Sequence, residues 1–413
     1  MKRMIFVMLM MAVGATFASP LFPLFQDHYQ LSSLQITILF AVYALFLLPT
    51  LLITGSKGES WGLKKVLRLS IILSMISTLT FLIGHHSIWL YAARIVEGVG
   101  YGAFTGAASA YLLKLCSARQ VSTAVKLSGM TVSIGFGLGP AITGIVIQYI
   151  HIQPLRLPFW VLLLMLLSSL IVLETIIDPD RRNRDADDIH KQKATPISLG
   201  IPARLRSPFW SMIALSIFTV FTLNGIVLSL IPTFAKTVIH TSNLSVSGFL
   251  ILLLLGGGGC MQLIPWPAHP VIRMRIGVIL IITGSWFVVA SGQSASLVLL
   301  WSGMFIQALG SGWMFQTSLR LAGQLSKQHE RAQVISTTYL AGYAGFIVPT
   351  VGVGVLSRFF DLNTSLVILN VLASLLVLYM LLYSITFAKY YAEHERLSQE
   401  NTDLQSSAQA NNA

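Results

Sequence analysis

Along the chain, apolar runs of about 17 to 25 residues, the length that carries a helix across a bilayer's hydrocarbon core, follow one another almost without pause. The pattern predicts helices near residues 4–25, 34–54, 66–84, 87–112, 122–149, 157–177, 208–235, 245–264, 275–292, 295–322, 331–356 and 363–387. The first run begins basic and then turns apolar, as a secretory signal does. It continues past Ser19 through Pro20, Leu21, Phe22 and Phe25, however, and is followed by another span rather than a polar domain, so it reads as a membrane helix.

The longest internal polar stretch, residues 178–207, divides these helices six and six. It carries Arg181, Arg182, Arg184, Lys191, Lys193, Arg204 and Arg206 among five aspartates. The predicted organisation is therefore an all-α membrane protein with an N-terminal bundle over 1–177, a cytoplasmic linker over 178–207, a C-terminal bundle over 208–388 and a cytoplasmic tail over 389–413. The tail, rich in Gln, Asn, Ser and Ala, reads as a short surface helix followed by disorder. The formal charge of +12 would suggest nucleic acid in a soluble protein. Its distribution says otherwise: of 27 basic residues the outer loops hold Arg156, Lys236 and Arg358, Arg94 lies inside a helix, and all the others face inward. That bias arises because basic residues resist translocation, and it puts both termini in the cytoplasm of a protein of the cell inner membrane. With 54% apolar and 10% charged residues the solvent for most of the chain is lipid. The two cysteines, Cys116 and Cys260, fall in different halves and indicate neither a disulfide framework nor a metal cluster.

The halves resemble each other. An offset of 210 residues sets Gly100 on Gly310, Gly102 on Gly312 and Glu97 on Gln307, and one residue of slippage later Pro140 meets Pro349. Paired six-helix repeats with matched glycine and proline positions are the build of transporters, whose binding site lies between the repeats near the midplane.

Three segments carry the chemistry. Between the second and third helices, Gly55, Gly58 and Gly62 with Glu59, Lys64 and Lys65 predict a two-glycine cytoplasmic hairpin whose carboxylate reaches the positive end of a neighbouring helix. The fourth helix contains Arg94, Glu97, Gly98, Gly100, Tyr101 and Gly102; the fifth contains Gly135, Gly137, Gly139, Pro140 and Gly144, with Pro140 placed to bend it. These segments resemble the signature loop, the Arg-containing fourth-helix motif and the exporter Gly-Pro motif of the major facilitator superfamily. Glu59 and Ser60 stand where an Asp and a basic residue are usual, and Glu97 stands where a Gln is commoner. The runs Thr37 to Ala44, Arg331 to Thr337 and Pro349 to Gly354 look like the twelve-helix drug:proton antiporter branch, among bacterial members of unknown substrate. The resemblance implies a secondary transporter working by alternating access, without a cofactor or metal, as a monomer, with a small molecule, protons and lipid as partners.

An ionisable residue at mid-bilayer costs about 2.5 to 3.5 kcal/mol on insertion scales, so those present are functional candidates. Arg94 and Glu97, three apart on one helix, share a face and can pair, with Tyr101 and Thr105 continuing that face. Glu97 is the expected proton carrier and Arg94 its modulator; Asp27, just beyond the outer end of the first helix, is the reserve. Glu174 lies a turn from a helix end and reads as structural. The expected cavity lining is Phe17, Phe22, Thr219, Thr222 and Asn224 on helices one and seven, with Gln307, Ser311, Met314 and Ser318 on helix ten facing helix four. An aromatic and methionine lining with scattered amides suits a bulky amphiphilic cargo. Glu59 is expected to dock near Arg331 and hold the cytoplasmic side closed. Proton-coupled efflux of a small amphiphilic molecule or drug is thus the leading expectation. The alternatives are an importer of a metabolite anion held by Arg94 and, from another class, a membrane receptor or scaffold. No Ser/His/Asp set or metal-spaced cluster points to an enzyme, and His85-His86 is an isolated outer-loop pair.

Overall fold

A computed structural model describes residues 1–150, 152–178, 199–241, 243–264, 268–327 and 330–411, all helix, turn or loop. The basic linker residues Arg181 to Lys193 lie outside this set. The helices are α1 (Lys2–Tyr29, broken by a 3-10 turn at Ser19–Leu21), α2 (Ser33–Trp61), α3 (Leu63–Ile83), α4 (Ser87–Lys114), α5 (Val121–Tyr149), α6 (Leu157–Glu174), α7 (Ala203–Thr237), α8 (Ser245–Met261), α9 (Pro270–Ser294), α10 (Leu297–Gln324), α11 (Arg331–Leu356) and α12 (Leu362–Asn411). Each predicted run overlaps one of them. Ten of the described helices are long and apolar enough to cross a membrane. The two others are α8, which has only 17 residues, and α4, whose Arg94 and Glu97 lower its hydropathy.

Two boundaries differ from the sequence reading, and one helix continues through a proline. α2 continues seven residues beyond the expected 54, with Gly55 and Gly58 inside it, and the turn into α3 is the single residue Gly62 at φ +89°. Only that position needs the left-handed conformation that glycine supplies without strain. α5 runs unbroken through Pro140. α12 extends as one helix to Asn411 in place of the expected short surface helix and disordered tail. Its start is capped by Asp361, which accepts from the Thr364 hydroxyl at 2.5 Å and amide at 3.0 Å. Those two bonds hold the Asp361 carboxyl below the usual carboxylate range.

Small residues decide which helices touch, because in lipid close backbone approach replaces the missing hydrophobic drive. A Cβ on Gly98 or Gly102 of α4 would fall on the carbonyl oxygens of Tyr43 or Leu47 in α2, and one on Gly135 or Gly139 of α5 would strike α1. The halves meet along two seams. α2 packs on α11, where the rings of Phe40 and Phe346 lie 4.6 Å apart and Gly354 abuts Thr37. α5 packs on α8, where Gly144 abuts Ser245 and Gly248 abuts the Pro140 carbonyl.

Proline inside a membrane helix frees the carbonyl four residues earlier, and hydrocarbon offers it no water. Pro140 frees Phe136, whose oxygen accepts the Thr16 hydroxyl of α1 at 2.8 Å. Pro349 frees Gly345, whose oxygen accepts the Thr222 hydroxyl of α7 at 3.0 Å. Pro232 frees Leu228, whose oxygen accepts the Ser19 hydroxyl from the opposite half. The first two bonds are the same device in each repeat, tying the first helix of a half to its fifth.

Thr16→Val is expected to destabilise the protein by about 1 kcal/mol, the scale of one such bond in a membrane protein. Adding Pro140→Ala, which restores the missing N–H, should remove most of that loss; a double-mutant cycle of thermal unfolding in detergent with no coupling between the two positions would refute the assignment.

Candidate functional site

Arg94 and Glu97 occupy adjacent turns of α4 and pair as their spacing predicts, Arg94 Nη1 donating to Glu97 Oε2 at 2.8 Å. Both are buried, at 2% and 7% exposure. The pair is turned two ways. The guanidinium lies over the Tyr43 ring of α2, with Cζ 4.4 Å from its centroid, and 6.0 Å from that of Phe40. A desolvated cation over an aromatic face gains of order 2 kcal/mol, so α2 holds Arg94 by its rings, while Arg94 Nε has no hydrogen-bond partner.

Glu97 faces the other way, into the N-terminal half. There it lines a cavity of about 10 Å³ with Tyr101, Ser77, Thr78, Phe17 and Phe159. A water needs roughly 10 to 15 Å³ by the same measure, so this space fits one water and no cargo. Its lining is unusual in charge. Ser77 donates its hydroxyl proton to the Ala93 carbonyl at 2.8 Å, and Thr78 donates to that of Ser74 at 2.8 Å. With those protons engaged, the hydroxyl oxygens and the carboxylate act as acceptors. The site can therefore receive a proton-bearing guest.

The remaining expected lining residues divide. Phe17 belongs to the Glu97 cavity, and Phe22 is packed in the core at 1% exposure. Tyr101 packs against Phe136 of α5 with ring centroids 5.7 Å apart, and Thr105 is exposed, donating to the Tyr101 carbonyl. Asn224 is half-buried and Thr219 buried, while the Thr222 hydroxyl already serves Gly345. On α10 the expected lining residues lie beside α8 and α9. Gln307 and Met314 turn to Gly284 and Gly277 of α9 inside the C-terminal half, and Ser311 turns to Gly258 of α8. The glycines create the closest approach on those sides, so the larger side chains fill there. Ser318 is fully buried.

At the end where α1 meets α2, bonds cross between the halves. Lys236 of α7 pairs with Asp27, Thr233 donates to Gln26 Oε1 at 2.6 Å, and Ser19 reaches Leu228. Asp27 was the reserve proton site by sequence; here it latches two halves, a role invisible in sequence because its partner is 209 residues away. At the opposite, terminus-bearing end, the ion pairs close within one half. Glu59 lies 3.5 Å from Lys114, Arg68 and Lys64 meet Glu174, and Arg204 meets Glu330. The expected contact of Glu59 with the start of α11 is thus not made in this state, and Arg331 instead donates to the Gly323 carbonyl at 3.1 Å. Lys64 also donates to the Ile176 carbonyl, and Lys65 is exposed. Sequence reasoning passed over Ser74, Ser77 and Thr78 as well, although hydroxyls at 70, 74, 77 and 78 make a legible polar stripe along α3.

Comparison with known proteins agrees with this architecture. A family model described as Major Facilitator Superfamily matches residues 4–350. Multidrug resistance protein 2 of Bacillus subtilis is 24% identical over 192 residues, covering 44% of this chain and 47% of that protein. Quinolone resistance protein NorA of Staphylococcus aureus is 23% identical over 164 residues, covering 39% and 41%. The alignments thus span less than half the length of either relative. A bacterial homologue of the human lysosomal transporter Spinster, solved inward-facing and unoccupied, superposes with a TM-score of 0.70 at 16% identity, over 94% of this chain and 96% of that one. With the family match covering most of its length and the fold in accord, this multi-pass membrane protein belongs to the major facilitator superfamily of transporters.

Proposed function

We propose that the protein is a proton-coupled exporter of a small amphiphilic molecule in the plasma membrane, with residues 1–177 and 208–388 rocking against each other as alternating access requires. What carries this reading is the buried Arg94–Glu97 pair, whose carboxylate faces a cavity the size of one water. A salt bridge alone gives little reason to keep two charges in a dry core. A carboxylate whose access to water changes with the state of the transporter can load a proton on one side and release it on the other. The resemblance to proteins named for multidrug and quinolone resistance supports export of an amphiphile.

With the basic loops on the cytoplasmic side, the latched Asp27 end is the outer one, and the described state is the one bonded across the halves there. In the opposite state, Glu59 exchanges Lys114 for the start of α11 near Arg331. The unpartnered Nε of Arg94 favours one second reading, an importer in which Arg94 holds a metabolite anion; accumulation against a gradient, in place of extrusion, distinguishes it.

Proteoliposomes under an imposed pH gradient, loaded with a fluorescent lipophilic cation, test the leading reading. Glu97→Gln is expected to reduce gradient-driven flux to near background while downhill exchange persists, and full gradient-driven flux by this variant removes Glu97 from coupling. Asp27→Asn weakens a partly exposed pair worth about 0.2 to 1 kcal/mol, so disulfide yield between cysteines introduced at Gln26 and Thr233 should fall by up to about five-fold. An unchanged yield would show that the latch does not hold the outer side. For the inner side, cysteines at the ends of α2 and α11 should cross-link less readily in Glu59→Ala, and equal cross-linking would dismiss the partner exchange.

A further inference from the structure

The repeat makes one difference between the halves conspicuous. α3 starts at Leu63 and α9 at Pro270, so Arg68 and Arg275 are each the sixth residue of their helix. Each points at the last helix of its own half. Arg68 grips Glu174 of α6 with two bonds, Nε at 2.5 Å and Nη2 at 2.8 Å. Arg275 Nε donates at 2.7 Å to the hydroxyl of Ser384 in α12. Glu174 and Ser384 are themselves 210 residues apart, the offset that superimposes the glycines of α4 and α10. The C-terminal half therefore repeats the bond with the carboxylate replaced by a neutral hydroxyl.

Further positive charge gathers at this corner. Arg273 lies two residues before Arg275, and it is near enough to Arg320 of α10 for the two guanidiniums to repel. Arg320 also acts on Tyr391 of α12, whose ring stands edge-on to His269 at 5.1 Å. Tyr391 also feels the charge of Glu395, which is exposed one turn further along α12. Among the described residues, no salt bridge reaches Arg273, Arg275 or Arg320. Next to these arginines, α9 and α12 pack together and leave Ile272, Ile279, Leu378, Leu382 and Ile385 exposed. A cationic corner at the helix ends, with no ion pair among the described residues, thus adjoins an exposed apolar face.

We propose that this corner is a binding site for an anionic phospholipid of the inner leaflet, its phosphate held by Arg273, Arg275 and Arg320 and its acyl chains lying along α9 and α12. Guanidinium forks match phosphate oxygens in paired bonds, and basic pockets between membrane helices on the cytoplasmic side select anionic headgroups. The exposed apolar face beside the arginines commits the site to a lipid over a free anion. The headgroup supplies to the C-terminal half the counter-charge that Glu174 supplies to the N-terminal half, so only the C-terminal half would sense lipid charge.

The test titrates purified full-length protein in uncharged detergent with phosphatidylglycerol, phosphatidylcholine or inorganic phosphate, reading thermal unfolding and the lipid retained in native mass spectrometry. Phosphatidylglycerol is expected to raise Tm saturably and to be retained, with the other two inert. The double variant Arg273→Gln/Arg320→Gln should lose about ten-fold in apparent affinity, as removal of paired charge-assisted bonds implies. Ser384→Asp, which installs the missing carboxylate beside Arg275, should blunt the phosphatidylglycerol effect without removing any arginine, and Arg68→Gln in the other half should leave it intact. Equal stabilisation by both lipids, an undiminished effect in the double variant and in Ser384→Asp, or a matching effect of inorganic phosphate would each overturn the proposal.

Discussion

Hydrocarbon offers no hydrogen bonds, and every backbone polar group placed in it must find a partner inside the protein. That constraint sets the helical architecture and then acts again at three of the prolines inside the helices. Pro140, Pro232 and Pro349 each free a carbonyl, and each carbonyl receives a hydroxyl from another helix, Thr16, Ser19 and Thr222. Two of these bonds organise the inside of a half and the third joins the halves. The prolines are therefore points of attachment, and α5 continues as one helix through Pro140.

The same solvent explains how the helices choose neighbours. Apolar side chains gain little by leaving lipid for protein, so contact depends on how closely backbones approach. The glycines of α4 admit α2, those of α5 admit α1 on one side and α8 on the other, and the larger residues of α10 fill toward the glycines of α9. One consequence is functional. Because α4 lies tightly on α2, Arg94 rests on the Tyr43 ring, and Glu97 is left to face the small polar cavity behind it. Close packing has turned a simple i, i+3 pair into a two-sided device.

Asymmetry between the halves is as informative as their likeness. The N-terminal half carries the buried acid where the other carries Gln307, and a surface carboxylate at Glu174 where the other carries Ser384. Acidic side chains at these matched positions are thus confined to the first half. The second half meets the membrane with arginines that its own side chains leave unneutralised.

Sequence alone determined the all-helical membrane class, the apolar runs that each overlap a helix and the Arg94–Glu97 pair. All of these follow from local hydropathy, from charge or from a spacing of a few residues on one helix. It misplaced the hairpin, because the glycines at 55 and 58 are as compatible with a helix as with a turn and only Gly62 adopts a positive φ. Nor did it place Gln307 and Met314 of α10 beside Gly284 and Gly277 of α9, since a helical face has no address until its neighbours are known. The tertiary structure decided what depends on residues far apart in the chain: the Asp27–Lys236 latch, the ring beneath Arg94 and the hydroxyls that complete the prolines. Each joins groups whose approach is set by helix packing, which no local pattern of hydrophobic and polar residues encodes.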